Sequence, residues 1–498
     1  MPGLALEAFE PVAEAFVRAR AWREHQFATD RRPGRGLISL YESDFPDLTS
    51  TDLWADVQAA TPDDLRQLAR LSAMLAMANL EGRTRDFVVQ VTRTEAQATV
   101  TLDESEIPWR GAASRWSLVG DVPRRHGLEE EWRGVFRSEL NGTLERWQET
   151  LRAAIVPLGA DDWLTFWSWL LGFNQGPEGA ERLGKAVLDQ TEEVYGNALG
   201  VYLGQLDLPI DDAWNSDVDW AFRAPRFDAV FAERLRMPTA IRTLRDLGIE
   251  LEEQTNVRIE PYAGAAVDCI ALEVPSDVHV LLRLVGGWLD FARTLRGLGC
   301  AEHLAHTDAS LRIWERWLGD NTPNVGYGAL LESLVRDRTW LVHHLEYPAS
   351  DDFRVIAHLE WLRRVRSVAA TALYEQRLWR GEPGSGMAAD FEESLSSATR
   401  VRHFGDEYLG LLMGAPGSTF GATIRLRAEV FAAQLRLFLK REFDEEWWRS
   451  SRAAYFIRDE LWRPGKRHSA EELLGFMGFE GFDASVLAAE VLEVLQPV

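Results

Sequence analysis

One stretch interrupts an otherwise helical pattern, and it constrains the fold more than any other feature of the chain. Between Asn256 and Leu284 the text reads NVRIEP, then VDCIALEV, then VHVLLRL, three short runs rich in β-branched residues with turn residues between them. That spelling predicts three strands in one small sheet, followed by a turn at Gly286-Gly287 and a helix from about Trp288. Elsewhere apolar residues recur at helical spacing. Leu359, Leu362, Val365, Ala369 and Leu373 form one such series, with arginines between them, and Phe431, Leu435 and Phe438 form another. Ser469 and Glu472 have capping-box spacing and open a short helix. The run from Val91 to Leu102 reads equally as a strand pair or a helix end. Breaks fall at 31–36, 381–386, 414–418 and Pro464-Gly465, none long enough for a disordered linker, and no internal repeat is visible. The expected class is mainly α with one small β-sheet.

A chain of 498 residues has room for two large lobes. Its 78 acidic against 54 basic residues give a formal charge of −24. Such a surface repels phosphate backbones and anionic membranes, so nucleic-acid and membrane partners are not expected. Solubility is the plain consequence, and attraction of cationic peptides is the more specific one. The two cysteines, Cys269 and Cys300, offer no disulfide framework, and the first residues lack the apolar run of a signal peptide. No run approaches the ~18 apolar residues of a membrane span. The expected compartment is the cytoplasm. Twenty tryptophans are unusual at this length, but most stand singly in helical patterns, where packing explains them.

A small sheet leading into a helix is where a zinc peptidase places H-E-x-x-H. Two histidines on one helical face hold the metal there, and the glutamate acts as base on its bound water. Among the ten histidines none is followed by glutamate, so the motif is absent. The segment RGLGCAEHLAHTD, Arg296 to Asp308, nonetheless keeps the frame Gly299, Ala301, His303, Ala305, His306 and Thr307. WLGDNTPNVGYGALLESL follows at 317–334, and STFGATIRLRAEVFAAQL at 418–435, with Phe420, Leu426 and Arg427 in its frame. Together with IPWRGA at 107–112 and SAEELLGFMGF at 469–479, these segments resemble the thimet oligopeptidase and oligoendopeptidase F family of zinc metallopeptidases.

The resemblance implies a two-lobed helical zincin-type peptidase fold with a central channel. It implies an N-terminal helical region over 1–150 and a peptidase-like region over 151–498, with the sheet near 256–284 and the active-type helix near 288–316. It also implies that the chemistry is gone. The first histidine ligand falls on Arg296, the general-base glutamate on Gly297, the second histidine ligand on Cys300 and the third ligand on Val325. The two tyrosines that steady the oxyanion fall on Gly421 and Arg425. The expectation is therefore a catalytically inactive relative without zinc or any other cofactor, serving as a peptide-binding or scaffolding protein, its oligomeric state open. The alternative is an active zinc oligoendopeptidase with a rebuilt metal site near His303 and His306, which stand at i, i+3 beside Glu302 and Cys300. A third reading makes Cys300 a nucleophile with His303 one turn on, against the commoner case of an inert buried thiol. Because Arg296 and Arg425 replace a ligand and an oxyanion donor, two guanidinium groups are expected to face one point. There they bind an anion such as a peptide carboxylate, or, on the plainer reading, each pairs with a nearby acid.

Overall fold

The structure, a computed structural model, describes residues 6–30, 35–60, 65–173, 175–261, 269–282, 284–381, 384–413 and 420–496. The expected breaks at 31–34, 382–383 and 414–418 lie outside the described residues. Helices account for most of the rest. The longest are Leu6–Asp30, Leu65–Gln97, Gly176–Gly204, Asp351–Arg380 and Gly421–Glu442. No described helix is long and apolar enough to cross a membrane.

The ambiguous run at 91–102 proves to be both things. The helix runs to Gln97, and β1 (Thr99–Leu102) then pairs antiparallel with β2 (Ser105–Pro108). Asp103 and Glu104 turn the hairpin with φ of 54° and 63°, the left-handed pair that a two-residue loop matched to strand twist requires. The sheet expected at 256–284 is present as β3 (Val257–Pro261), β4 (Cys269–Glu273) and β5 (Asp277–Leu282). Its order is β3-β5-β4, with β5 central, parallel to β3 and antiparallel to β4.

Alternation gives this sheet two different faces. Val278, Val280 and Leu282 join the large core that also buries Trp288, Phe291, Leu295 and Leu298 of the following helix. On the other face Ile270 and Leu281 meet Ala28 of the N-terminal helix in a small separate apolar cluster. The N-terminal helix thus covers the outer side of the sheet.

Two large cores make the two lobes. One gathers residues from Phe9 to Leu170 and then Ile313, Trp314 and a set between Ala370 and Phe420. The other runs from Leu183 through the sheet to Leu495. The Asp351–Arg380 helix enters both: Phe353, Ile356, Leu359, Leu362 and Val365 lie in the second core, and Tyr374, Leu378 and Trp379 lie in the first. Its apolar spacing is the series expected from the sequence. Ser469 accepts from the Glu472 amide and Glu472 from the Ser469 amide, which closes the expected capping box.

Candidate functional site

The turn after β5 and the helix it launches are set by three residues. Gly286 and Gly287 have φ of 86° and 71°, which only glycine adopts without strain, and the Arg223 guanidinium lies where a side chain at either would stand. Asp290 accepts from the Val285 and Gly286 amides at 2.8 Å each, so its buried carboxylate anchors the turn to the helix start. The resulting helix, Trp288–Ala305, is buried along nearly its whole length. We refer to it as the site helix.

Two further helices close over it. On the helix Thr322–Glu332, the carbonyl of Tyr327 comes within 2.4 Å of where a Cβ on Gly299 would lie. A Cβ on Gly328 would meet the Cys300 sulfur at 2.5 Å, and one on Gly326 would meet Phe431 of the Gly421–Glu442 helix at 2.5 Å. Small residues at these positions let the backbones pack against one another without an intervening gap.

Arg296 lies in this seam, 8% exposed. Its Nη1 donates to Glu332 Oε2 at 2.7 Å and to Glu429 Oε1 at 2.9 Å. Glu332 also accepts from Arg364, and Glu429 from the Trp361 indole at 2.8 Å. Burial would raise the Glu332 carboxyl, but Arg364, Arg296 and Arg336 hold it down at about 2. The result is a buried, charge-compensated network spanning four helices.

The other positions singled out in the sequence fall around it. Gly297 and Cys300 are buried on the site helix, and Val325 is half-buried on the facing helix. Gly421 opens the Gly421–Glu442 helix. Arg425 is exposed, its Nε donates to the Gly421 carbonyl at 3.2 Å, and the buried carboxyl it acts on is Glu375. The two arginines therefore lie in different settings, Arg296 in the buried network and Arg425 at the surface. His303 is fully committed. Its Nε2–H donates to the Gly465 carbonyl at 3.2 Å and its Nδ1 accepts from Asn324 Nδ2 at 3.0 Å. Burial pushes it down to about 3, so it stays neutral. Neither nitrogen is left for a metal or for the Cys300 thiol. His306 donates from Nδ1 to the Glu302 carbonyl at 3.0 Å, with Glu302 Oε2 at 3.2 Å. Burial lowers its pKa, and the hydrogen bond and charge of Glu302 more than reverse that.

A zinc ion at the position the resemblance indicates does not fit these residues. Guanidinium has no lone pair and valine no donor atom, so Cys300 alone offers a ligand where three or four are needed. Ligand-type side chains converge elsewhere. His25, Glu260 and His279 bring their ligand atoms within 4.8 Å of one another, and so do Asp246, His343 and His344. Sequence reading missed both groups because it sought one motif on one helix, whereas His25 and Glu260 lie 235 positions apart. Near 343 the doubled histidine was the only local signal.

A cavity of about 240 Å³ opens between Phe173, Arg182, Arg427, Glu471 and Phe482, lined by Arg427 of the frame but by none of the positions expected for zinc ligands, base or tyrosines. Arg427 lies between the Phe173 and Phe482 rings, at 4.3 and 4.4 Å, and is paired with Glu471 at 2.9 Å.

No family model matches the sequence, and no curated protein matches it. The fold does match solved structures. Metallocarboxypeptidase 1 of Trypanosoma cruzi superposes with a TM-score of 0.66 at 12% identity, covering 99% of both chains. The M32 carboxypeptidase of Deinococcus radiodurans R1 gives 0.62 at 14%, again with 99% of each chain. A Bacillus anthracis protein assigned as oligoendopeptidase F gives 0.65 at 12%, over 93% of this chain and 82% of that one. The chain therefore has the helical fold shared by oligoendopeptidase F and these carboxypeptidases. The expectation that the protein holds no cofactor is corrected by the same findings. Its structural neighbours include a metallocarboxypeptidase, and two groups of its own side chains are arranged as metal ligands. The expectation failed because it followed from the loss of one helical motif and took no account of donors brought together by tertiary packing.

Proposed function

We infer that the protein is a peptide- or protein-binding relative of the oligoendopeptidase fold that does not hydrolyse peptides at the frame's usual position. The observation that carries this reading is Arg296, buried and paired with Glu332 and Glu429 where the frame calls for the first ligand. Hydrolysis there would need a polarised water, and bulk water, with a pKa near ~15.7, supplies no useful hydroxide at neutral pH without a metal to bring it to about 7. A guanidinium bonded to two carboxylates on its own chain donates hydrogen bonds only and offers no coordination position at which a water could be ionised. The close seam at Gly299 and Gly328 supports the same reading, since Gly328 packs against the Cys300 sulfur on that side. The alternative of a rebuilt site near His303 and His306 is not favoured, because both histidines are held by hydrogen bonds within the chain.

The binding half of the proposal rests on the fold and on charge. A fold shared with peptidases suits extended chain by analogy, and a formal charge of −24 favours cationic segments. The test uses the full chain with quenched fluorescent peptides, with and without added Zn²⁺, beside anisotropy titrations of labelled basic peptides. The expected result is no cleavage and saturable binding that weakens with salt. Chelator-sensitive turnover above a mock preparation would overturn the inactive reading, and flat anisotropy would overturn the binding one.

A further inference from the structure

The N-terminal helix and the sheet meet at a cluster that the peptidase frame does not use. Glu260 of β3 and His279 of β5 lie on the same outer face, because Glu260 pairs with Leu281 and His279 is two residues before it. His25 comes down from the Leu6–Asp30 helix. His279 Nδ1 is 2.7 Å from Glu260 Oε1, and His25 Nε2 is 3.1 Å from Glu260 Oε2. The two imidazole rings stand 4.4 Å apart. On its other side His279 Nε2 is 3.0 Å from Asp277 Oδ1.

This pattern has a chemical problem that a cation solves. His279 is 3% exposed and faces a carboxylate from each ring nitrogen. A neutral imidazole can donate one proton only, so one of its two carboxylate contacts would set lone pair against lone pair until a second proton or a metal ion occupies that nitrogen. The Asp277 contact has the form of the outer partner that a metal-bound histidine uses to fix its tautomer, with Nε2–H donating outwards and Nδ1 left as the ligand. The ligand atoms also converge, all within 4.8 Å of one another. The contacts to the two Glu260 oxygens, 2.7 and 3.1 Å, are hydrogen-bond lengths that would open toward the ~3.3 Å edge of a tetrahedral site with bonds of about 2.0–2.1 Å.

We propose that His25, Glu260 and His279, backed by Asp277, bind a divalent transition metal of the Zn²⁺ class and so clip the N-terminal helix to the outer face of the sheet. Two imidazoles and a carboxylate select Zn²⁺ or Co²⁺ over Mg²⁺ or Ca²⁺, which prefer all-oxygen sites. The clip has a structural purpose, since among the described residues the apolar cluster on this face is small, made of Ala28, Ile270, Leu281 and the half-buried Leu272. The group at Asp246, His343 and His344 is the weaker candidate. Its contacts are 3.7 and 3.3 Å, and the Arg242 and Arg449 guanidinium groups near His344 oppose a cation.

The test is Co²⁺ titration of chelator-stripped full-length protein, read by visible d–d absorption, with melting temperature measured in parallel. The expected result is one equivalent per chain, displaced by Zn²⁺, with a metal-dependent rise in melting temperature. His25→Gln, at a half-buried helical position, and His279→Gln should each weaken binding by at least about tenfold, while His343→Gln binds as the parent does. Circular dichroism checks that each variant is folded. If the His279 variant does not fold, His25→Gln carries the test alone. The proposal falls if the stripped protein takes up no equivalent at micromolar Co²⁺, if the folded His25 variant binds undiminished, or if binding is lost with His343 instead.

Discussion

The seam around Arg296 is buried and the cluster around His279 is half-buried apart from His279 itself, both lean on the same sheet-and-helix unit, and their charges are arranged in opposite ways. In the seam the chain supplies its own cations, with Arg296 and Arg364 set against Glu332 and Glu429. At the sheet's outer face it supplies two imidazoles and two carboxylates, and a cation there, Arg258, lies 3.4 Å from Asp277 rather than at Glu260. Desolvated charges persist only when compensated. The first site is complete within the chain, whereas the second calls for extra protons or an ion. The comparison shows that one chain can pair buried guanidinium groups with its own carboxylates in one place while ligand-type side chains gather in another.

The largest expected effect comes from removing the internal cation. Arg296→Ala leaves two buried carboxylates short of a partner, and unfolding in urea should show a loss of ~3–5 kcal/mol. A loss below about 1 kcal/mol would break the comparison, since the seam would then not depend on its charges.

Acid sharpens the same point. Glu332 is held at about 2 against an ordinary 4.5, with burial opposing and Arg364, Arg296 and Arg336 prevailing. A depressed carboxyl contributes its full stability above the unfolded value and loses it as pH falls through the folded one. The gap between parent and Arg296→Ala should therefore be widest above pH 4.5 and shrink by a few kcal/mol toward pH 2. Urea midpoints at several pH values decide this, and a constant gap would mean that Arg296 acts through packing. A separate decline shared by both proteins should begin below pH 6.5. His303, His344, His358 and His403 are each pushed down to about 3, chiefly by burial, so only the unfolded chain gains those protons between 6.5 and 3.

A smaller effect tests whether the seam is closed by shape as well as charge. Gly299→Ala places a methyl 2.4 Å from the Tyr327 carbonyl oxygen, a backbone atom that cannot rotate away. Melting curves should report a loss of ~1–3 kcal/mol, and an unchanged protein would mean that the two helices slide apart freely. Smallest of all is Arg425→Ala, an exposed change expected to stay within about 0.5 kcal/mol. A cost like that of Arg296 would show that the two arginines act together after all.

Much of the fold was legible because its signals are local. The three β-branched runs became β3, β4 and β5, the Leu359 series became the helix through both cores, and the Ser469–Glu472 spacing became a capping box. The pairing of β3 with β5 rather than with β4 was not legible, since strand order depends on contacts that spacing along the chain does not encode. The site divided in the same manner. The positions of Arg296, Cys300 and His303 on one buried helix could be read from the sequence. Their partners Glu429, Asn324 and Gly465 could not, Glu429 being 133 residues distant from Arg296. His25 carried no signal at all, since a histidine near the end of an amphipathic helix says nothing about a sheet more than two hundred residues on.

The Asp351–Arg380 helix bears on how the molecule comes apart. Since one continuous helix supplies Leu362 and Val365 to one lobe and Tyr374 and Trp379 to the other, neither lobe can melt without stripping that helix of part of its support. The lobes should unfold as a single cooperative unit, with calorimetric and van't Hoff enthalpies in agreement. A proline at Ala369 or Ala370, where the helix passes from one core to the other, would divide that single transition into two.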